Sequence, residues 1–181
     1  MPRKTALDVL LRIDRDGAYS HIALSAALEE AKLSDADRGL ATELVYGTLT
    51  WRRALDAIID QFARRGTHGL ELELLEALRL GAYQLVFLDR IPAHAAANET
   101  VELVRKTVNP GAAKLANAVM RRIAENPGAP WWRETDRARK PARFLGARWS
   151  LPNWLANRLI QQFGFERAET LAEAFTARPP L

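Results

Sequence analysis

Residues 72–103 read LELLEALRLGAYQLVFLDRIPAHAAANETVEL, and the first half of this stretch decides the fold class. Leu74, Leu75, Leu78, Ala82 and Leu85 recur at helical spacing on one face, while Leu80, Tyr83, Val86 and Phe87 carry apolar surface onto the others. A helix that is apolar around most of its girth is a buried one. The stretch from about Leu72 to Asp89 is therefore predicted as the central helix of an all-α protein. Glu71, Glu73, Glu76 and Arg79 interrupt it too often for a membrane span. Pro92 then suits the start of a sixth helix, where its missing N–H and fixed φ cost nothing. Beyond it, His94 and Asn98 stand at i, i+4 on one face, with Glu99 beside them. These three residues are compatible with a catalytic or metal-binding helix. Sequence places no nucleophile within reach of His94, and His21 and His68 lie in other elements, without H-x-x-x-H spacing. The reading adopted is a packing corner: alanines 93 and 95–97 let the helix approach its neighbours, and His94 and Asn98 hydrogen-bond there.

Helices also flank this pair. Ala6, Val9, Leu10 and Ile13 form an i, i+3, i+4, i+7 stripe that Asp16-Gly17 ends. A second helix is predicted over about Ile22 to Lys32. Ser34 with Asp37 three residues on is a capping-box arrangement that opens a third, running to Gly47. A fourth carries Leu55, Ile58, Ile59 and Phe62 and stops near Gly66. Asn109-Pro110-Gly111 closes the sixth, and a seventh spans about Ala113 to Glu125. Two short helices, about Asn153 to Phe163 and Glu166 to Thr176, close the chain before Arg178-Pro179-Pro180-Leu181. The expected organisation is a bundle of about seven helices over 1–126, a basic Trp-rich linker over 127–150 and a helical extension over 151–181.

Composition narrows the chemistry. The 181 residues contain no cysteine, which excludes disulfides, thiolate metal sites and a thiol nucleophile. The N-terminus, MPRKTALDVLLRIDRDG, is too charged for a signal peptide, so a cytoplasmic protein is expected. Neither a G-x-G-x-x-G nor a G-x-x-x-x-G-K-[ST] motif occurs, and no cofactor site is expected in this chain. The net charge of +4 is unevenly spread: residues 1–130 balance 17 Lys/Arg against 17 Asp/Glu, while residues 131–181 hold nine against five. The paired arginines Arg64-Arg65 and Arg121-Arg122 suit helix C-termini. Arg3, Lys4, Arg12 and Arg15 do not, because the start of the first helix would prefer acids. Cations set against the dipole there point to an anionic partner such as phosphate. Residues 131–155, WWRETDRARKPARFLGARWSLPNWL, hold four of the five tryptophans. Trp131, Trp132 and Trp149 either stack on unpaired bases or anchor the tail.

Three passages taken in order, RGLATELVYGTLTWRRALD (38–56), LRLGAYQLVFLDRIPAHAAANETVELV (78–104) and KLANAVMRRI (114–123), resemble the NusB-type all-α RNA-binding domain. A fourth, RWSLPNWLANRLIQQFGFERAETLAEAF (148–175), resembles the segment that follows this domain in the Sun/Fmu (RsmB) family of 16S rRNA cytosine-C5 methyltransferases. The resemblance implies an RNA-docking module whose partner is small-subunit rRNA. It also implies a C-terminal methyltransferase domain, absent from this chain, that would hold S-adenosylmethionine and a catalytic cysteine. Cytosine-C5 methylation needs a thiolate to add at C6, and this chain has none. By the same resemblance, Arg3, Lys4, Arg12 and Arg15 are expected to contact phosphate. Arg137, Arg139, Lys140, Arg143 and Arg148 form a second patch, facing RNA or the missing domain. Asn98 and Glu99 are expected to be architectural, with Asn117 on a facing helix as a hydrogen-bond partner. Two other readings stay open: a stand-alone NusB-like antitermination factor that binds a ribosomal protein, and a helical brace for a catalytic domain.

Overall fold

The computed structural model describes residues 1–64, 66–126 and 128–177. Among them regular structure is helical throughout: α1 (Pro2–Asp16), α2 (Ser20–Glu30), α3 (Asp35–Thr50), α4 (Arg52–Asp60), a 3-10 turn (Thr67–Gly69), α5 (Leu72–Phe87), α6 (Ala93–Thr107), α7 (Pro110–Glu125), α8 (Glu134–Arg139), α9 (Pro141–Trp149), α10 (Asn153–Phe163) and α11 (Phe165–Thr176). Seven of these α-helices lie within residues 1–126, as expected. The C-terminal Pro-Pro and Arg65 fall outside the described residues.

Helix starts follow local chemistry. Ser34 Oγ accepts the Asp37 N–H at 3.3 Å, one half of the expected capping box. Asn109 Oδ1 accepts the Ala112 N–H at 2.7 Å, and Pro110 opens α7 directly behind it. The Asn-Pro-Gly expected to close α6 is thus the start of α7, about three residues earlier than periodicity suggested.

The central position of α5 is borne out. It packs against α1, α3, α4, α6 and α7, and nearly every residue from Leu74 to Gln84 is buried. Two glycines set the distances. A Cβ on Gly47 of α3 would collide with the Tyr83 ring, and one on Gly81 of α5 would lie 2.6 Å from Met120 Sδ and 2.7 Å from Thr100. The first core therefore closes on α5 from two sides, with Leu7, Leu10, Leu44, Leu55, Ile59, Leu78, Leu80 and Met120 at its centre.

Residues 127–150 are not a plain linker. They fold as α8 and α9, and Phe144 and Leu145 of α9 are wholly buried at the heart of a second, smaller core with Leu151, Ala156, Leu159, Ala168 and Ala172. Sequence reading missed both helices because six- and nine-residue helices leave too few turns for a 3.6-residue period to show. The two cores join where α9 packs on α4. Gly146 lets Arg53 in, Ser150 Oγ accepts the Arg53 N–H at 3.0 Å, and Arg53 donates to Asn153 Oδ1 at 2.8 Å.

Trp131 adds a second joint. Its ring centroid lies 5.6 Å from Phe87 and 5.0 Å from Trp132, and its indole N–H donates to the Ala147 carbonyl at 2.8 Å. Of the two roles open to Trp131, anchoring is the one its contacts fit. At the Ile91-Pro92 corner the helix does turn as expected, and Ala96 is buried. His94 and Asn98, by contrast, are exposed and make no side-chain hydrogen bond among the described residues. Asn98 and Asn117 line one shallow groove without bonding to each other. Backbone hydrogen bonds hold the corner instead, Ala95 and Ala96 N–H donating to the Pro92 carbonyl at 2.9 and 3.0 Å, together with the burial of Ala96.

Candidate functional site

Helix α1 carries the first set of candidate cations. It buries Ala6, Leu7, Val9, Leu10 and Leu11 on one side. Lys4, Asp8, Arg12 and Arg15 follow one another along the exposed side, with about 16 Å of helix rise from the first to the last. The four candidates differ in what already holds them. Arg3 turns inward: its side chain is 17% exposed, and its Nε donates at 2.8 Å to Oε1 of the buried Gln84, whose own amide N–H donates to the Leu80 carbonyl. Glu99 stands 4.0 Å away. Lys4 pairs with Asp8 at 2.6 Å, one turn along the same helix. Arg15 pairs with Glu73 at the start of α5. Arg12 is exposed and has no ion pair or hydrogen bond among the described residues. Exposed pairs such as Lys4–Asp8 contribute only about 0.2–1 kcal/mol, so those cations can exchange a carboxylate for a phosphate at small cost.

The second set divides more sharply. Arg137 reaches Glu166 at 3.2 Å and Glu169 at 2.9 Å while lying 4.9 Å from the Phe165 ring centroid. Arg148 pairs with Glu169 at 3.1 Å and lies 5.0 Å from the Trp132 centroid and 5.1 Å from that of Trp149. Both arginines therefore tie α8 and α9 to α11 and cover aromatic rings. Arg143 is exposed and stands 3.5 Å from Asp136. Arg139 and Lys140 are exposed and unpaired among the described residues.

Sequence reading missed a buried ionic cluster. Glu76 has no exposed surface; Arg52 reaches it at 2.9 Å, and Arg79 reaches it from one turn along α5. Arg79 also donates to both Asp56 oxygens, at 2.7 and 2.8 Å, and Arg52 donates to Asp14. Burial pushes the Glu76 carboxyl above the ordinary glutamate range, against the opposing pull of Arg79 and Arg52. Burial acts the same way on Asp14, but the Arg52 hydrogen bond and the charges of Arg52 and Arg79 outweigh it, and Asp14 lies below the ordinary range. The signal was present: two opposite charges three residues apart in the apolar middle of a helix mark a buried pair. Arg52 and Arg53, at the N-terminus of α4, are held by this cluster and by Asn153 rather than by the helix dipole.

An all-α bundle centred on one buried helix, with a basic outer stripe on its first helix, matches a known family over residues 1–125, that of NusB. The chain belongs to the NusB family. Beyond the NusB domain, the chain is 34% identical over 177 residues to the probable ribosomal RNA small subunit methyltransferase B of Bacillus subtilis (strain 168), covering 98% of this chain and 38% of that relative. The chain spans under two fifths of the length of such curated relatives. Among solved structures it superposes on a chain in the crystal structure of a plectonemic RNA supercoil with TM-score 0.63 and 29% identity, covering 68% of this chain and 91% of that one. It also superposes on PH0851 with TM-score 0.72 and 16% identity, covering 99% of this chain and 39% of that one. The second likeness, at the level of fold, extends past the NusB domain through α8–α11. Among the described residues no helix is long and apolar enough to cross a membrane.

Proposed function

We propose that this chain is the RNA-docking module of a small-subunit rRNA cytosine-C5 methyltransferase. One observation carries the reading: both the NusB domain and the α8–α11 extension match, along 98% of the chain, a relative named as a probable ribosomal RNA small subunit methyltransferase B. The bundle of α1–α7 holds the RNA, and the α8–α11 unit leads toward the catalytic part. Lys4, Arg12 and Arg15 contact phosphate directly, and Arg3, fixed by Gln84, orients the start of the stripe. Arg139, Lys140 and Arg143 extend the cationic surface, while Arg137 and Arg148 hold the extension in shape. The cellular setting is the cytoplasm, where rRNA is modified.

The whole protein would use S-adenosylmethionine as methyl donor. The residues present do not fit that cofactor: among those described there is no strand and no glycine-rich strand-to-helix turn to cradle it, and the sequence has no cysteine to attack cytosine. No step of methyl transfer is assigned to this chain.

The test is fluorescence anisotropy with fragments of small-subunit rRNA, comparing the chain with a Lys4→Ala, Arg12→Ala, Arg15→Ala variant. Binding at low salt that the triple variant loses supports the reading. Binding to ribosomal proteins but not to RNA favours the protein-interaction alternative, and binding to neither leaves only a structural brace.

A further inference from the structure

Between α4 with its 3-10 turn and the α8–α9 pair lies an open cleft of about 730 Å³, within the usual range of ligand sites. Trp132 and Arg133 line it from one side, His68 and Asp60 from the other, and Arg143 and Arg53 complete the wall. Its charges are not equivalent. Asp56, also at the wall, has both oxygens engaged by Arg79, and Asp136 is beside Arg143 at 3.5 Å. Asp60 has no cation beside it among the described residues. Its Oδ1 accepts the Thr67 N–H at 2.7 Å, and its Oδ2 has no hydrogen-bond partner among the described residues. Arg133 is exposed and unpaired among the described residues, and Arg53 Nε is buried without a partner there.

A simple anion accounts for the arginines but not for an unpaired carboxylate among them. A cation accounts for the carboxylate but not for three arginines. A nucleotide accounts for both. Its phosphate suits Arg133 and Arg143, its ring suits the flat side chains of Trp132 and His68, and an exocyclic amino group suits Asp60. We propose that this cleft seats one unpaired nucleotide of a single RNA strand, with a base that carries an exocyclic amino group: cytosine, adenine or guanine, and not uracil. The placement within a strand rests on the RNA-docking reading above; recognition of the nucleotide itself does not.

The experiment titrates the 15N-labelled full 181-residue chain with CMP and UMP, then with pentacytidylate and pentauridylate, following the indole N–H resonances. The Trp132 signal, assigned with a Trp132→Phe variant, should move with CMP, and CMP should bind about tenfold more tightly than UMP, the worth of one charge-assisted hydrogen bond. Pentacytidylate should bind more tightly than CMP. Asp60→Asn keeps an oxygen for Thr67 but offers an amide N–H to the base, so the preference should reverse toward UMP. Arg133→Ala should weaken both nucleotides about three- to tenfold and leave the preference unchanged. A Trp132 signal that no nucleotide moves, or equal affinity for CMP and UMP, overturns the proposal. Pentacytidylate no tighter than CMP overturns the strand placement. An Asp60→Asn chain that keeps the wild-type preference while the α1 variant still abolishes rRNA binding removes the cleft and leaves the docking function standing.

Discussion

Arg3 and Arg12 lie on the same helix, yet their side chains do different work. The Arg3 guanidinium satisfies a buried amide oxygen on Gln84, so Arg3→Ala should destabilise the chain by about 1–3 kcal/mol in urea unfolding, the cost of stranding that acceptor. Arg12→Ala should leave the urea midpoint within about 0.5 kcal/mol of wild type, as expected for an exposed side chain, while lowering the steepness of the salt dependence of RNA binding by about one. Residue-scale packing makes a sharper forecast. Gly47→Ala drives a methyl group into the Tyr83 ring and should cost about 1–3 kcal/mol or more in thermal or urea unfolding. A wild-type melting curve for this variant contradicts the close α3–α5 approach. None of these distinctions was legible in the sequence, where Arg3 and Arg12 are both cations on one helix.

At the scale of elements, α5 was the most readable part of the chain and its two buried charges the least. Apolar periodicity marks the helix as buried, but a charge inside it only shows that some partner exists, not that Arg52 and Asp14 come from α4 and α1 to supply it. The cluster makes the stability depend on pH in two opposed ways. Glu76 has a raised carboxyl, so between the unfolded and folded values the folded chain holds a proton that the unfolded chain has released. Stability therefore falls as pH rises through the window just above the ordinary glutamate range. Asp14 is lowered; its contribution is present above the ordinary aspartate range and is lost as pH falls through its folded value. Urea unfolding against pH should show Glu76→Gln abolishing the first slope and Asp14→Asn the second. Because ionising Glu76 costs the folded state, Glu76→Gln, which stands in for the protonated carboxyl, should leave stability near neutral pH equal to or slightly above that of the parent chain. An unchanged pH profile in both variants contradicts the cluster. The short helices α8 and α9 were hidden for a different reason: each is too short to show a period, and the burial of Phe144 and Leu145 of α9 comes from packing against α10 and α11.

In the whole molecule, two cores of unequal size are joined through α4, α9 and Trp131. Truncation after Asn126 uncovers Phe87 and the Arg53 side of α4, and should lower the unfolding midpoint of the remaining bundle. A midpoint equal to that of the full chain contradicts an anchored extension. The all-α bundle, its family and the place of its basic stripe were legible because amphipathic spacing and the 38–56, 78–104 and 114–123 passages report them directly. The division of labour among the cations was not, because pairing with Glu73, Glu169 or Gln84 is a product of tertiary structure. The central claim is that the exposed cations of this molecule hold RNA phosphates, and the most direct measurement is the affinity of the chain for a small-subunit rRNA fragment across a salt series. With about four phosphates neutralised, log affinity should fall against log salt with a slope of about −3 to −4, and the Lys4, Arg12, Arg15 triple-alanine variant should flatten it. An affinity indifferent to salt, or a slope that the triple variant leaves unchanged, contradicts the account.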